Sequence, residues 1–333
     1  MTTLLEMRYR TVLRLLPAYY RRDREDEMVE VYLWDVDQET QDQSRPTLGE
    51  VASVAALAVR SRLAATGAPR PYVLLGSAVR RFALFAVLLQ VASAVVDRVL
   101  QLTWAGTHGA RDWEIFLSEF TGRVPLLGAA AAAEWTLPLL WTVGLFALLH
   151  NRRRLAQASV LLAALPTLWP LAGPLVSELA PWDPWFATAG ALFAWLPALA
   201  LCAAHHRDAP AAVLPVGTPG LVFAACCVVM GASQVVLPAL PDAVWAPATC
   251  FVLGALGWLL LRRRRMDASP AGGAMALAAL GLLLLAVRIA TLYPWLGVPV
   301  PAAYVGAALG QTAALALLTL ALTVVAGRDL AGR

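Results

Sequence analysis

Lysine is absent from this chain of 333 residues, and all 26 of its basic residues are arginine. With alanine and leucine dominating the composition, an arginine-only basic set marks a high-GC bacterial genome rather than selection for guanidinium chemistry. Charge of either sign is scarce, at 14% of residues against 59% hydrophobic, and the mean hydropathy is +0.65. Such a chain is far outside the soluble globular range, which excludes an ordinary soluble domain and implies repeated apolar stretches of membrane-spanning length. Cysteine is limited to Cys202, Cys226, Cys227 and Cys250. All four fall inside apolar segments without disulfide or zinc spacing, so they read as small buried hydrophobes.

Catalytic signatures are missing as well. The chain has no Walker A pattern, no H-E-x-x-H, no G-x-S-x-G and no paired aspartates within apolar runs. Those absences remove the commoner ATPase, metalloprotease, serine hydrolase and intramembrane aspartyl protease readings. No catalytic residue, cofactor or metal is expected; His150, His205 and His206 sit beside arginines at helix ends and would need the fold to gather them into a metal site. The net charge of +4 and pI near 9.1 are of the sign that suits nucleic acid, but the arginines are dispersed among loops where membrane topology already requires them, and nucleic-acid binding is not expected. The first 65 residues also lack the uninterrupted apolar core of a cleavable signal peptide, so insertion falls to the first true span.

Apolar runs long enough to span a bilayer occur near 82–104, 124–149, 155–178, 185–204, 214–238, 245–261, 271–293 and 302–326. The expected fold is all-α: an integral membrane helical bundle of about eight transmembrane helices over residues 82–326, with the lipid bilayer as its first partner. A small cytoplasmic helical module (1–66) and a linker (67–81) precede it, and a short tail (327–333) follows. Arg70, Arg80, Arg81, Arg152, Arg153, Arg154, Arg207, Arg262 to Arg265, Arg328 and Arg333 fall on one side of the spans, with only Arg111 and Arg123 on the other. The positive-inside rule then puts both termini in the cytoplasm of a bacterial inner-membrane protein. The opposite face carries aromatic, proline-rich turns at Pro181 to Trp185, Pro241 to Trp245 and Tyr293 to Trp295, and indole rings favour headgroup level. Four helical hairpins result, with cytoplasmic loops recurring every 55 to 65 residues. Ancient duplication and the plain length of two spans both account for that period. In the longest outer loop Trp113, Phe116, Leu117 and Phe120 line one helical face, as expected of an interfacial helix or of a cap packed over the bundle.

Residues 1–66 hold 9 arginines against 11 acids, a near-neutral balance unlike a polybasic tether. Leu5, Tyr9, Val12, Leu13 and Leu16 form one apolar helix face, ended by Pro17; Met28, Val29, Tyr32, Leu33 and Val36 form a second, after the charged run Arg21 to Glu27. A third helix begins at Thr47-Leu48-Gly49-Glu50, a capping-box pattern, and continues through Val51, Val54, Ala55 and Ala58. Three such helices can bury one small core.

Charged residues within the spans are the best pointers to function, since each costs about 2.5–3.5 kcal/mol near a helix centre unless paired or hydrated. In the first span Gln90, Ala94, Asp97 and Gln101 share a face, with Arg98 about 100° away; the second span contributes Glu134 and the seventh Arg288. These residues are expected first to form a buried ion-pair network that fixes packing, with a polar cavity opening outward as the second reading and snorkelling to the interface as the third; Gln234 with Ser233 and Gln311 with Thr312 are candidates for the same cavity or for packing between helices.

The stretch Arg8-Tyr9-Arg10, Leu13 to Pro17, Tyr19-Tyr20-Arg21 and Glu27-Met28 resembles the small helical module that precedes the membrane region in HAAS-type signalling proteins and in some permeases with a prefix domain, found in Actinobacteria and Firmicutes. The resemblance covers about the first fifth of the chain and carries no catalytic residues. It implies a regulatory or signalling role, with a cytoplasmic protein partner bound through residues 1–66. The alternative expectation is a transporter or permease component with Asp97, Arg98, Glu134 and Arg288 lining its pathway.

Overall fold

The computed structural model describes residues 4–34, 45–63, 68–121, 125–171, 184–205, 218–236, 244–264, 272–293 and 301–331, and every regular element among them is a helix. Three helices come first: α1 (Leu4–Leu13), α2 (Ala18–Trp34) and α3 (Leu48–Arg62). Thr47 caps α3 as its sequence requires: its hydroxyl accepts from the Glu50 amide at 3.3 Å while the Glu50 carboxylate accepts from the Thr47 amide at 2.6 Å. Leu13, Leu16, Val29, Val54 and Ala58 bury one small core between the three helices. The Tyr9 and Tyr32 rings stack on its edge with centroids 3.9 Å apart. The run Arg21 to Glu27 lies inside α2 rather than ahead of it, because the apolar face of α2 needs only its second half. Val36 lies outside the described residues.

Residues 70–81, read from sequence as linker, are the first turns of α4 (Arg70–Thr107). Pro69 and Pro71 break the preceding chain, and proline is tolerated only at the start of a helix; nothing after Pro71 interrupts it. The 38 residues of α4 make a rod of about 57 Å, nearly twice a hydrocarbon core of about 30 Å. There follow α5 (Ala110–Thr121), α6 (Pro125–Thr136), a 3₁₀ turn over Leu137–Leu139, α7 (Leu140–Leu149) and α8 (Arg153–Ala164) with a 3₁₀ turn over Leu165–Leu168. The bundle is completed by α9 (Pro184–Ala204), α10 (Thr218–Val236), α11 (Trp245–Arg264), α12 (Gly273–Leu292) and α13 (Ala302–Ala331). Residues 327–331, expected in a tail, are the last turn of α13.

Seven helical runs among the described residues are long and apolar enough to cross a membrane: Arg70–Thr107, Gly128–Leu149, Pro184–Ala204, Thr218–Val236, Trp245–Arg263, Gly273–Leu292 and Ala302–Ala331. The chain is therefore an all-helical protein with the makings of a multi-pass membrane bundle. The eighth expected span, 155–178, is not among the seven. Its described part is α8 and its 3₁₀ turn, with helical residues to 171, and 172–178 lie outside the described residues. Pro166 is the physical reason for the break, since its missing N–H tightens the helix there.

The turn from α7 to α8 is set by one residue. Asn151, the sole asparagine in the chain, adopts the left-handed conformation (φ 57°). The Asn151 amide donates to the Leu148 carbonyl at 3.0 Å and the Arg152 amide to Ala147 at 2.8 Å, the pair of bonds that closes a helix C-terminus before a reversal.

The long helix α4 is the hub. Its Ala83, Val87 and Val91 pack into one core with α7, α8 and α9, while Ala86, Leu89, Ala92 and Val96 pack into a second core with α10, α11, α12 and α13. Alanine on both faces allows close approach, which is how helices associate where lipid removes the hydrophobic drive. On the far side of the second core, Gly281 of α12 lies against Thr319 of α13 and Phe251 of α11 with no room for a Cβ.

Candidate functional site

Polar side chains of α4 meet breaks in its neighbours. Pro197 interrupts α9 from within, and its missing N–H leaves the carbonyl of Phe193, four residues earlier, without its helical donor. The Gln90 amide nitrogen fills that vacancy at 2.7 Å. Eight residues further along α4 the pattern repeats. Pro138 removes the donor that an α-helix would give the Glu134 carbonyl and a 3₁₀ helix would give Trp135. Arg98 supplies both: Nη2 donates to the Glu134 carbonyl at 3.0 Å and Nε to the Trp135 carbonyl at 3.0 Å. Its Nη1 donates to Gln101 Oε1 at 2.7 Å, and the guanidinium lies over the Trp135 ring, 5.5 Å from its centroid.

The six residues singled out from sequence are thus dispersed over three junctions. Gln90 joins α4 to α9. Asp97, Arg98, Gln101 and Glu134 gather where α4 meets α6, with Asp97 half-buried and Glu134 exposed on the flank of α6. Arg288 is on α12, 1% exposed, with its guanidinium over the Trp245 ring of α11 at 5.6 Å. Among the described residues no salt bridge joins either acid to either arginine. Of the other polar pairs, the Ser233 hydroxyl donates to the Met230 carbonyl and the Thr312 hydroxyl to Ala308, each within its own helix, and Gln311 Nε2 donates to Trp245 O at 3.0 Å and Thr249 Oγ1 at 2.8 Å. They bond helix to helix or helix to itself.

Among the described residues, two of the larger cavities border these helices. One, of about 370 Å³, lies between α6 and the 3₁₀ turn after α8; it is lined by Ala130, Ala133, Glu134, Leu137, Leu165, Pro166, Leu168 and Trp169. The other is an open groove of about 880 Å³ between α4, α9 and α12, lined by leucine, alanine and Phe82, with Trp185 at one end. Its only hydroxyl, on Thr188, donates to Pro184 O within α9. Apart from the indole N–H of Trp185 the groove offers no further polar side chain and no charge, so the Glu134 cavity is the candidate site.

The opposite end of the bundle carries a pair that the sequence reading missed. Arg262, assigned there to a run that anchors the helix end, donates from Nη1 to Asp329 Oδ2 at 2.9 Å and from Nη2 to Oδ1 at 2.6 Å, with its guanidinium over Trp258. The signal was available: Asp329 is an acid standing in an arginine-marked helix end. Amphipathic α5 occurs where expected, and its Phe116 and Phe120 rings lie against Trp135, so it packs on α6 beside the Arg98 junction. The turn residues Pro181 to Asp183, Pro241 to Ala243 and Pro294-Trp295, together with Arg123, Arg207, Arg265, His206 and Arg333, lie outside the described residues. Among those described, no group of three or more His, Cys, Asp or Glu could hold a metal ion.

Compared with known proteins, the chain matches no family model, no curated protein and no solved structure.

Proposed function

We infer that the chain is a regulatory protein of the bacterial cytoplasmic membrane, crossing eight times with both termini in the cytoplasm, whose N-terminal helices engage a protein partner and are coupled to the bundle through α4. The observation that carries this reading is the continuity of α4. Near its start Tyr72 packs on Tyr19 of α2, with centroids 5.1 Å apart, while the Tyr19 hydroxyl donates to Ser61 O of α3 at 2.6 Å. Seven turns later the same helix carries Arg98. A shift of helix packing at the Arg98 junction would therefore be felt at the module without any flexible joint between them.

The crossing number has its own support. Leu74 near the start of α4 and Asp329 near the end of α13 border one small cavity, and an even number of crossings brings first and last helix ends together. Gln157 of α8 donates to the His205 carbonyl after α9 at 3.3 Å, at the arginine-rich end, while Leu165 and Trp169 stand at the depth of Glu134. Residues 153–171 therefore traverse much of the bundle, as an eighth crossing would.

Co-purification from native membranes tests the reading: a partner retained by the full chain and lost when residues 1–66 are deleted supports it, and identical retention by both versions removes it. A transport role is the second reading, and the Glu134 cavity is the observation that favours it.

A further inference from the structure

Glu134 stands in the run Gly128–Leu149, one of those able to cross a bilayer. An ionisable group at such a depth persists where something compensates its charge. Its carboxylate makes no hydrogen bond or ion pair among the described residues. Arg98, whose charge is felt there, directs its Nε, Nη1 and Nη2 at the Trp135 carbonyl, Gln101 and the Glu134 backbone carbonyl instead. Glu134, exposed on the flank of α6, borders the cavity of about 370 Å³, whose other walls are alanine, leucine and proline apart from Trp169.

We propose that this cavity binds a small organic cation, an alkyl- or arylammonium group, with the charged nitrogen against Glu134, the apolar substituents against Ala133, Leu137 and Leu165, and the Trp169 ring as a cation–π surface. Each alternative class of ligand fails on the lining. A hard metal cation needs several oxygen ligands and finds one carboxylate. An anion meets the charge of Glu134. A neutral apolar molecule fits the walls but gives the carboxylate no counter-charge in direct contact. An ammonium with hydrocarbon substituents satisfies the carboxylate, the apolar walls and the aromatic face together, and the volume is at the lower end of the range of about 300–1,000 Å³ for small-molecule sites. The inference rests on the membrane location of α6 and is independent of what the N-terminal helices bind.

The test uses the full chain in nanodiscs of phosphatidylglycerol with radiolabelled benzyltrimethylammonium as probe, and neopentylbenzene, its uncharged isostere, as competitor. The expected result is saturable binding, at least tenfold weaker in Glu134→Gln, and no displacement by the isostere. Ala133→Phe, which fills the cavity and keeps the carboxylate, lowers binding equally if the cation sits there. Displacement by the isostere at equal concentration overturns the proposal without recourse to any variant, as does full binding to a folded Glu134→Gln or Ala133→Phe. The same ammonium chemistry is carried by free amines and by the ethanolamine lipid headgroup. Repeating the titration in phosphatidylethanolamine discs separates them: a large fall in probe affinity identifies the headgroup as occupant, and unchanged affinity identifies a free amine.

Discussion

Arg98 donates to the backbone carbonyl of Glu134, not to its carboxylate. The two side chains look from sequence like the halves of an intramembrane ion pair, yet the arginine is consumed by a defect in the helix that carries the acid. Pro138 creates the defect by withholding its amide from residues 134 and 135, and Gln90 repeats the arrangement against the Phe193 carbonyl that Pro197 leaves open. In both cases a polar residue of α4 restores the hydrogen bonding that hydrocarbon cannot supply.

If Arg98 serves the break at Pro138, its value depends on that proline. Arg98→Ala should cost about 1–2 kcal/mol, within the range for stranding carbonyls between helices. In a Pro138→Ala background, where the residue-138 amide is restored, the same replacement should cost distinctly less. A double-mutant cycle on thermal or denaturant unfolding in mild detergent measures the coupling; strictly additive effects would mean that the two residues do not share the carbonyls.

Gln90 and Pro197 form the parallel case without a charge. Gln90→Leu should destabilise by roughly 1 kcal/mol, and Pro197→Ala should reduce that loss. Gln90→Glu should be worse than Gln90→Leu, because a carboxylate has no donor for Phe193 O and sets two acceptors against each other. An unfolding series in which Gln90→Glu is the mildest change would refute the assignment.

Gly281 offers a steric test. A Cβ there would collide with Thr319 and would meet Phe251 Cζ at 2.9 Å, so Gly281→Ala should cost about 1–3 kcal/mol by overpacking. Gly306→Ala on α13, where a Cβ would meet nothing within 4 Å, should be neutral or slightly stabilising in the same assay. Equal responses would show that α12 and α13 are not held at this spacing.

The capping box on α3 predicts a local effect. Thr47→Ala should weaken the start of the helix by about 1 kcal/mol, seen as faster hydrogen exchange of the Leu48 to Val51 amides, with exchange in α9 unchanged. The Thr47-x-x-Glu50 pattern was fully legible in the sequence, as were the buried Leu5, Tyr9, Leu13 and Leu16, because capping and helical periodicity are properties of near neighbours. The Arg98 and Gln90 contacts were not legible: nothing in the chain near either residue says which helix will lie beside it, so their polarity alone favoured an ion-pair network and left a cavity open.

Alkali should loosen the N-terminal helices before the bundle. Burial raises the phenol pKa of Tyr9, Tyr19 and Tyr32 above the ordinary 10.0, with Glu50 adding to the effect at Tyr9 and Tyr32. A group that holds its proton more tightly when folded contributes stability that is complete below the unfolded value and is lost as pH rises through the folded one. The stacked Tyr9 and Tyr32 should therefore ionise above pH 10, together with loss of α1–α3 packing, since the folded arrangement sets a phenolate against Glu50. Tyrosinate absorbance and circular dichroism followed on one sample check the coincidence; ionisation with full helicity and unchanged proteolysis of residues 1–66 would contradict it.

The sequence by itself determined the class of protein, the position of nearly every apolar helix, the three short N-terminal helices and the capping of α3, because hydrophobicity, periodicity and caps are encoded within a few residues of where they act. Tertiary structure decided the rest. Only the packing of α4 among its neighbours revealed that Gln90 and Arg98 complete helices broken by Pro197 and Pro138, that Arg288 belongs to Trp245, and that Arg262 holds Asp329 67 residues away. Only that packing left Glu134 as a carboxylate beside an apolar cavity. A proline fixes where a carbonyl will be stranded, but the donor that reaches it is chosen by which helices lie in contact, and no local pattern records that choice.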